Sequence, residues 1–200
     1  MNRCYLLILL AFSACKPAVL SPEALTAFVA DEKNGLKKSV EVEGVKIEVA
    51  YRPTDLWIYQ EIEDDIVSPG RIDSLRSKYD RYLYFVVSLS KNNKEALHQV
   101  EGGFGQYSDL VQTLSFRMPE YTTLTTAVQD TIHMGDFTLN RTYGLSTATE
   151  LLFVFNREKA VDSEWVQLNL NEFGLGVGNQ RFRFATEDLK NVPALAFAGR

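Results

Sequence analysis

The sequence predicts a mainly β protein, an antiparallel β-sandwich that is either immunoglobulin-like or an open barrel, with short N-terminal helices. Three observations lead to this prediction. Short segments rich in β-branched and aromatic residues recur from Tyr82 onward, several alternate apolar and polar residues, and polar turns separate them. This spacing favours a sandwich or open barrel over a βαβ fold.

The first element after the leader is predicted to be a short amphipathic helix. Residues 21–23 place Ser at the N-cap, Pro at the first helical position and an acid in the first turn. An apolar stripe follows at helical spacing, and Gly35 can end the helix. The stripe consists of Leu25, Phe28 and Val29.

The segment Val40–Tyr51 alternates apolar and charged residues, which is typical of a strand with one solvent-exposed face. Glu43-Gly44 marks a turn or bulge within it. Pro53 and the two residues after it can begin a helix that runs through Ile62, and the chain breaks at Pro69-Gly70. A further short helix is indicated by Ile72, Leu75 and Tyr79.

From Tyr82 the sequence predicts a series of strands. In one of them, Leu114, Phe116 and Met118 share a period-two face; in the last, Phe182 and Phe184 face away from two arginines. The predicted strands are Tyr82–Leu89, Leu110–Met118, Thr122–Val128, Phe137–Tyr143, Leu151–Phe155, Trp165–Leu170 and Gln180–Phe184.

Length and composition predict one ordinary globular domain over residues 21–200. The chain has 200 residues, of which 46% are hydrophobic and 24% are charged. Its net charge is −5 and its pI is about 5.2. This charge argues against a nucleic-acid partner, because such binders need a basic face to displace counterions.

The first fifteen residues have the order of a secretory signal peptide. Arg3 supplies a positive charge, an apolar run follows over Tyr5–Phe12, and small Ser13 and Ala14 precede Cys15. The apolar run is shorter than the roughly 20 residues that span a bilayer.

The segment Phe12-Ser13-Ala14-Cys15 resembles the bacterial lipobox, although Phe12 departs from the usual Leu. The resemblance implies that residues 1–14 are removed and that residues 15–20 form a tether, with diacylglycerol and an acyl chain such as palmitate on Cys15. Such an anchor is effectively permanent. It implies attachment to the cell membrane or outer membrane, facing the periplasm or cell surface. Lys16 in place of an inner-membrane retention Asp favours the outer membrane.

Loss of the leader would remove Cys4, so the mature chain would have no thiol free for a disulfide, a redox pair or a zinc site. His133 lies three residues from Asp130 and from Asp136, but no established metal motif accompanies it. We predict no cofactor and no metal. The glycines of residues 102–105 and 174–178 are interpreted as turn glycines because no phosphate-binding motif surrounds them.

Two groups of residues are candidates for ligand chemistry. Trp57 and Tyr59 could stack on a sugar, with Arg52 and Asp55 completing a polar-rimmed pocket. An acidic cluster could supply the paired carboxylates of a glycoside hydrolase; it consists of Glu61, Glu63, Asp64 and Asp65. Two tripeptides that begin at Asp73 and Asp130 resemble O-glycosylation sites of some Bacteroidetes.

These observations predict a membrane-anchored envelope lipoprotein that acts as a non-catalytic binding or assembly subunit for an envelope protein. A glycan-binding lipoprotein is the main alternative, and a glycoside hydrolase-like enzyme is a weaker one. The first function predicts an exposed apolar patch or an open strand edge. The second predicts a solvent-facing Trp57, and the third predicts two carboxylates facing each other in a cleft.

Overall fold

A computed structural model describes residues 19–62 and 68–197. It confirms the predicted fold class, because the chain is mainly β and its principal sheet is antiparallel and nearly closed. The leader and Cys15 lie outside the described residues, so signal cleavage and lipid attachment stay predictions. The strands are β1 Val19–Leu20, β2 Lys37–Val42, β3 Val45–Tyr51, β4 Tyr82–Lys91, β5 Lys94–Glu95, β6 Thr122–Thr126, β7 Thr131–Asn140, β8 Thr149–Asn156, β9 Trp165–Leu170, β10 Gln180–Ala185 and β11 Ala194–Leu195.

The helices are short and decorate the sheet. They are α1 Pro22–Ala30, α2 Thr54–Ile62, α3 Pro69–Tyr79, α4 Gly103–Gln112, α5 Met118–Tyr121 and α6 Thr186–Lys190. A π-helical segment, Thr113–Arg117, joins α4 to α5, and single 3₁₀ turns occur at Glu32–Asn34, Ala96–Gln99 and Glu158–Ala160.

One path of hydrogen bonds runs through the principal sheet in the order β10-β9-β6-β7-β8-β4-β3-β2, and β5 pairs with β4. Strand β7 joins the two halves of this path. Its first residues pair with β6, and its later residues pair with β8 after a bulge between Met134 and Asp136. A bulge bends its strand and increases the local twist. The sheet therefore turns at β7, and the two halves enclose one core.

Aromatic side chains fill the core where the two halves meet. Phe85 of β4 is fully buried, and its ring centroid lies 5.1 Å from that of Phe184 on β10. The turn that leads into edge strand β2 also approaches the helix that follows β10, because Gly35 packs directly against the side chain of Asp188 in α6. Gly35 has a φ of +75°, a conformation that favours glycine, and a Cβ at this position would collide with the Asp188 side chain.

The strand directions define two ends of the sheet. Strands β3 and β8 end, and β4 and β7 begin, at the end that also carries α2, α3 and α6; we call this end the base. The two-stranded β1–β11 pair lies there too, because the N–H of Leu195 donates to Asp55 of α2. The opposite end, which carries α4 and residues 141–148, is called the apex.

The predicted N-terminal elements form, although α1 ends at Ala30 and Gly35 instead ends the 3₁₀ turn that follows it. Ser21 caps α1 by accepting a hydrogen bond from the N–H of Ala24 at 3.2 Å. The Glu43-Gly44 turn separates β2 from β3, and both residues have positive φ, as a tight two-residue hairpin turn requires. The predicted helices after Pro53 and after Pro69-Gly70 correspond to α2 and α3.

The predicted strand Leu110–Met118 is wrong, because this segment is helical. Leu110, Leu114 and Met118 are spaced by four residues, so in a helix they form one apolar stripe, and all three are buried. Phe116, which strand periodicity would place on the same face, is 75% exposed. The strand predicted at Phe137–Tyr143 also begins earlier, at Thr131, and ends at Asn140.

Candidate functional site

Two of the four predicted ligand-binding residues lie together. Arg52 follows β3, and Trp57 lies on α2, with the Arg52 guanidinium 4.4 Å from the centre of the indole ring. The ring of Tyr84 also contacts Trp57, with centroids 5.4 Å apart. The indole is therefore partly covered by a guanidinium and a phenol, which leaves less of its surface open for stacking on a sugar.

Arg52 and Trp57 each carry a buried N–H without an acceptor in the described part of the chain. These are the Arg52 Nε and Trp57 Nε1 groups. The other end of the guanidinium donates to the Gln60 side chain at 2.8 Å. Burial lowers the pKa of Arg52, and the charge of Glu150 opposes that shift. Buried donors in proteins are normally paired, so these two are exceptions in the packing of this corner of the fold.

The other two predicted residues do not join this site. Asp55 accepts two hydrogen bonds from Arg76 at 2.8 and 2.9 Å and one from the N–H of Leu195 at 2.9 Å. It therefore ties α2 to α3 and to β11. Tyr59 is half-buried and is not among the residues that line the cavity beside Arg52 and Trp57.

That cavity is a groove of about 480 Å³ on the outer face of the sheet. Its floor crosses β4, β8 and β7, where Val86, Leu152 and Thr138 are directly paired in register. The next outward row on the same strands is polar, and it consists of Ser88, Glu150 and Asn140. A second hollow of about 230 Å³ adjoins the groove and shares Arg52 and Val86 with it.

The apex carries the second candidate site, an exposed apolar surface. Four large side chains there are at least three-quarters exposed: Phe104 at 84%, Phe116 at 75%, Tyr143 at 78% and Leu145 at 92%. A hydrogen bond links the loop of Tyr143 and Leu145 to the segment of Phe116, because Arg141 donates to Ser115 at 2.7 Å. We call these four residues the apical surface.

A buried carboxylate holds the loop that presents Tyr143 and Leu145. Glu95 is 3% exposed and accepts hydrogen bonds from the Thr142 hydroxyl, from the N–H of Gly144 at 2.8 Å and from the N–H of Ser146 at 3.2 Å. Its other oxygen lies 3.4 Å from His98 Nε2. The loop is therefore fixed while its two apolar side chains project into solvent.

Glu95, Glu150 and the apical surface were not predicted from the sequence. Glu95 and the loop it holds are about fifty residues apart in the chain, with contacts such as that to Gly144 spanning 49 positions. A sequence signal was present for Leu145, an apolar residue in a run of turn-forming residues.

The glycine-rich segment 174–178 forms a cradle, but a carboxylate of the chain itself occupies it. Glu172 accepts hydrogen bonds from the N–H groups of Gly174 at 2.8 Å, Gly176 at 2.9 Å and Gly178. All three glycines have positive φ, which turns their N–H groups inward. The cradle closes a loop and leaves no room there for an external anion.

Glu172→Gln is expected to lower the free energy of unfolding by about 1 kcal/mol at neutral pH, because a partly exposed charge–dipole interaction is lost. Burial acts to raise the pKa of Glu172, but the glycine N–H groups lower it overall. The difference in free energy of unfolding between wild type and Glu172→Gln is therefore present above the ordinary carboxyl pKa. It disappears as pH falls through the lowered pKa of Glu172 in the folded protein. Urea denaturation at a series of pH values from neutral into acid measures it, with Glu41→Gln as an exposed control. Equal losses for both variants at neutral pH would contradict the cradle.

The acidic cluster and His133 gain no support as a catalytic or metal-binding site. Of the acidic cluster, Glu61 interacts with Tyr79 and Lys78, and Glu63, Asp64 and Asp65 lie outside the described residues. His133 lies on β7 opposite Thr123. Within residues 19–62 and 68–197, no group of three or more His, Cys, Asp or Glu side chains is arranged to hold a metal.

Comparison with known proteins finds no matching family model, no matching curated protein and no matching solved structure. In the described part of the chain, no helix is long and apolar enough to cross a membrane. The fold and the two surfaces define the class of protein only: a nearly closed antiparallel β protein with a groove on its outer face and apolar side chains at its apex.

Proposed function

We propose that the chain is a lipid-anchored envelope protein that acts as a non-catalytic binding or assembly subunit and contacts a partner protein through its apical surface. The observation that carries this proposal is the exposure of Phe104, Phe116, Tyr143 and Leu145 at one end of the fold. Large apolar side chains grouped on a surface are typical of protein interfaces, where aromatic residues are enriched.

The way in which the loop is held supports this role. Exposing Tyr143 and Leu145 costs free energy, and a mobile loop would fold them against the protein. Glu95 instead fixes the loop through three hydrogen bonds. A preorganised apolar contact loses little conformational entropy when a partner covers it.

The open sheet edges are less suitable as docking sites. Edge strand β2 carries Lys37, Lys38 and Glu41, and edge strand β10 directs Arg181 and Arg183 to solvent. Charged side chains on edge strands discourage pairing with another chain. The apical surface is thus the better candidate.

The proposed anchor and the apical surface belong to opposite ends of the fold. Cys15 precedes Val19 by four residues, a link that spans at most about 14 Å. Val19 lies in β1 at the base, whereas the ten-residue strand β4 extends about 33 Å from base to apex. An anchor on Cys15 therefore holds the base beside the membrane and directs the apical surface away from it. Four further exposed apolar residues lie at the base: Val19, Tyr82, Val128 and Val161.

The test is crosslinking mass spectrometry on native membranes with four C-terminally tagged proteins: wild type, Cys15→Ala, Leu145→Asp and Val128→Asp. We expect Cys15→Ala to release the protein from the membrane fraction. Leu145→Asp is expected to stay attached but to lose about tenfold or more of the crosslinks to one partner, since a charge replaces an apolar contact at the interface core. Val128→Asp, at the base, is the matched control and should retain them.

Each outcome bears on a separate part of the proposal. Unchanged membrane attachment of Cys15→Ala would exclude the lipid anchor. Equal crosslinking of the Leu145→Asp and Val128→Asp proteins would exclude the apical surface as the interface, whatever the result for Cys15.

A further inference from the structure

The groove beside Arg52 carries opposite charges at its two ends. Arg52 and Trp57 form one end, Glu150 lies in the polar row at the other, and Val86 and Leu152 form an apolar floor between them. A volume of about 480 Å³ falls in the range of small-molecule sites, which combine apolar walls with a few convergent polar groups.

The positive end offers a guanidinium that lacks a carboxylate partner. Arg52 lines the groove, donates to the neutral Gln60 side chain at 2.8 Å and has no carboxylate within 4 Å among the described residues. Such a group matches the two oxygens of a ligand carboxylate, since guanidinium groups bind carboxylates with paired hydrogen bonds.

The negative end offers an acceptor that lacks a cation. Within the described residues Glu150 has no Lys, Arg or His within 4 Å, and it is contacted only weakly by the Asn140 amide, at 3.5 Å. By contrast, Glu48 in the same outward row is neutralised by Lys37 at 2.5 Å and Lys46 at 3.0 Å. Glu150 is therefore the carboxylate available to a cationic or N–H-bearing group.

We propose that this groove binds a small zwitterion of the short-peptide class, with its carboxylate on Arg52, its ammonium group on Glu150, and aliphatic side chains on the floor formed by Val86 and Leu152. The proposal depends neither on the lipid anchor nor on the apical surface. It assigns the groove a ligand of its own.

The spacing of the two charged ends favours a dipeptide over a single amino acid. By strand register, Arg52 and Glu150 are two strands and four residues apart. This corresponds to roughly 10 Å across the sheet and roughly 13 Å along it between their Cα atoms. Both side chains are long and line the same groove, so a ligand of two residues, about 7 Å when extended, reaches both.

The probe is leucyl-alanine, titrated by calorimetry into the purified full chain in detergent. Two blocked forms, the C-terminal amide and the N-acetyl derivative, remove one charge each. We expect the free dipeptide to bind and each blocked form to bind about tenfold or more weakly, because each loses a charge-assisted hydrogen bond worth at least one factor of ten.

Variants of the groove show which end binds the carboxylate of the dipeptide and which end binds its amine. Arg52→Gln should abolish the preference for the free carboxylate over the amide, and Glu150→Gln should abolish the preference for the free amine over the acetyl form. Arg183→Gln is the matched control for Arg52, because Arg183 lies 4.0 Å from the centre of the Trp165 ring and donates to the Gln167 side chain. Exposed Glu41 supplies the control for Glu150 through Glu41→Gln.

Thermal unfolding of every variant shows whether it is folded, and Arg52→Lys, which keeps the charge but lacks the paired N–H donors of a guanidinium, provides a second test at that position. The proposal is overturned if wild type does not bind leucyl-alanine at millimolar concentration, or if either blocked form binds as well as the free dipeptide. Binding that responds to Arg52 but not to Glu150 would indicate a carboxylate ligand without an amine and would also overturn it.

Discussion

Phe85→Ala is expected to lower the free energy of unfolding by about 3–5 kcal/mol, the usual cost of truncating a buried Phe. Phe85 is fully buried at the point where the two halves of the sheet meet. Its ring lies 5.9 Å from Tyr51, 6.2 Å from Phe155 and 5.1 Å from Phe184. These contacts join β3, β4 and β8 to β10, so one truncation weakens the packing of both halves.

The measurement is urea denaturation followed by circular dichroism, with Phe85→Leu as the control that keeps most of the volume. Phe85→Leu should cost about 1.5 kcal/mol or less, since it leaves a smaller cavity. Because domains are stable by only about 5–15 kcal/mol, the alanine variant should lose a large part of its stability. A loss below about 1 kcal/mol for Phe85→Ala would mean that the halves do not share one core.

Local sequence patterns were enough to predict most strands, because a strand with one buried face must alternate. Gln180–Ala185 is an example, with Phe182 and Phe184 buried and the intervening arginines exposed. The Leu110–Met118 segment could not be assigned in this way. Its three buried residues are spaced by four, which satisfies both period two and a helical stripe, and only tertiary contact at the apex decides between them.

The groove could be predicted in part. Arg52 and Trp57 are close in sequence, and the turn from β3 into α2 brings them together. Asp55 and Tyr59 lie two residues from Trp57 on α2, and residues two apart on a helix do not share a face, so α2 directs them elsewhere. Glu150 enters from β8, and only the pairing of β8 with β4 brings it to the same groove.

Glu95→Ala is expected to lower the free energy of unfolding by about 2–3 kcal/mol and to release the loop that carries Tyr143 and Leu145. The substitution removes the acceptor shared by Thr142, Gly144 and Ser146, and hydrogen bonds to a charged group each contribute more than neutral ones. The exposed backbone of the loop can then bond to water, which limits the loss.

The stabilisation by Glu95 should also depend on pH. Burial acts to raise the pKa of Glu95, but hydrogen bonds from Thr142, Ser146 and Gly144, with the nearby His98, lower it overall. A carboxyl group whose pKa is lowered on folding stabilises the protein above its unfolded pKa, and this contribution is lost as pH falls through the folded value. The difference between wild type and Glu95→Gln should therefore be full at neutral pH and vanish in acid.

Hydrogen exchange of the loop amides separates this local role from a general loss of stability. In Glu95→Ala, the N–H groups of Gly144 and Ser146 should exchange much faster than the amides of β4, which stay protected in the core sheet. Under the proposed function, the same variant should weaken partner crosslinks even though Leu145 is unchanged, because its loop is no longer preorganised. Unchanged exchange at Gly144 and Ser146 would show that Glu95 does not fix the loop. Full retention of crosslinks would show that partner binding does not require a fixed loop.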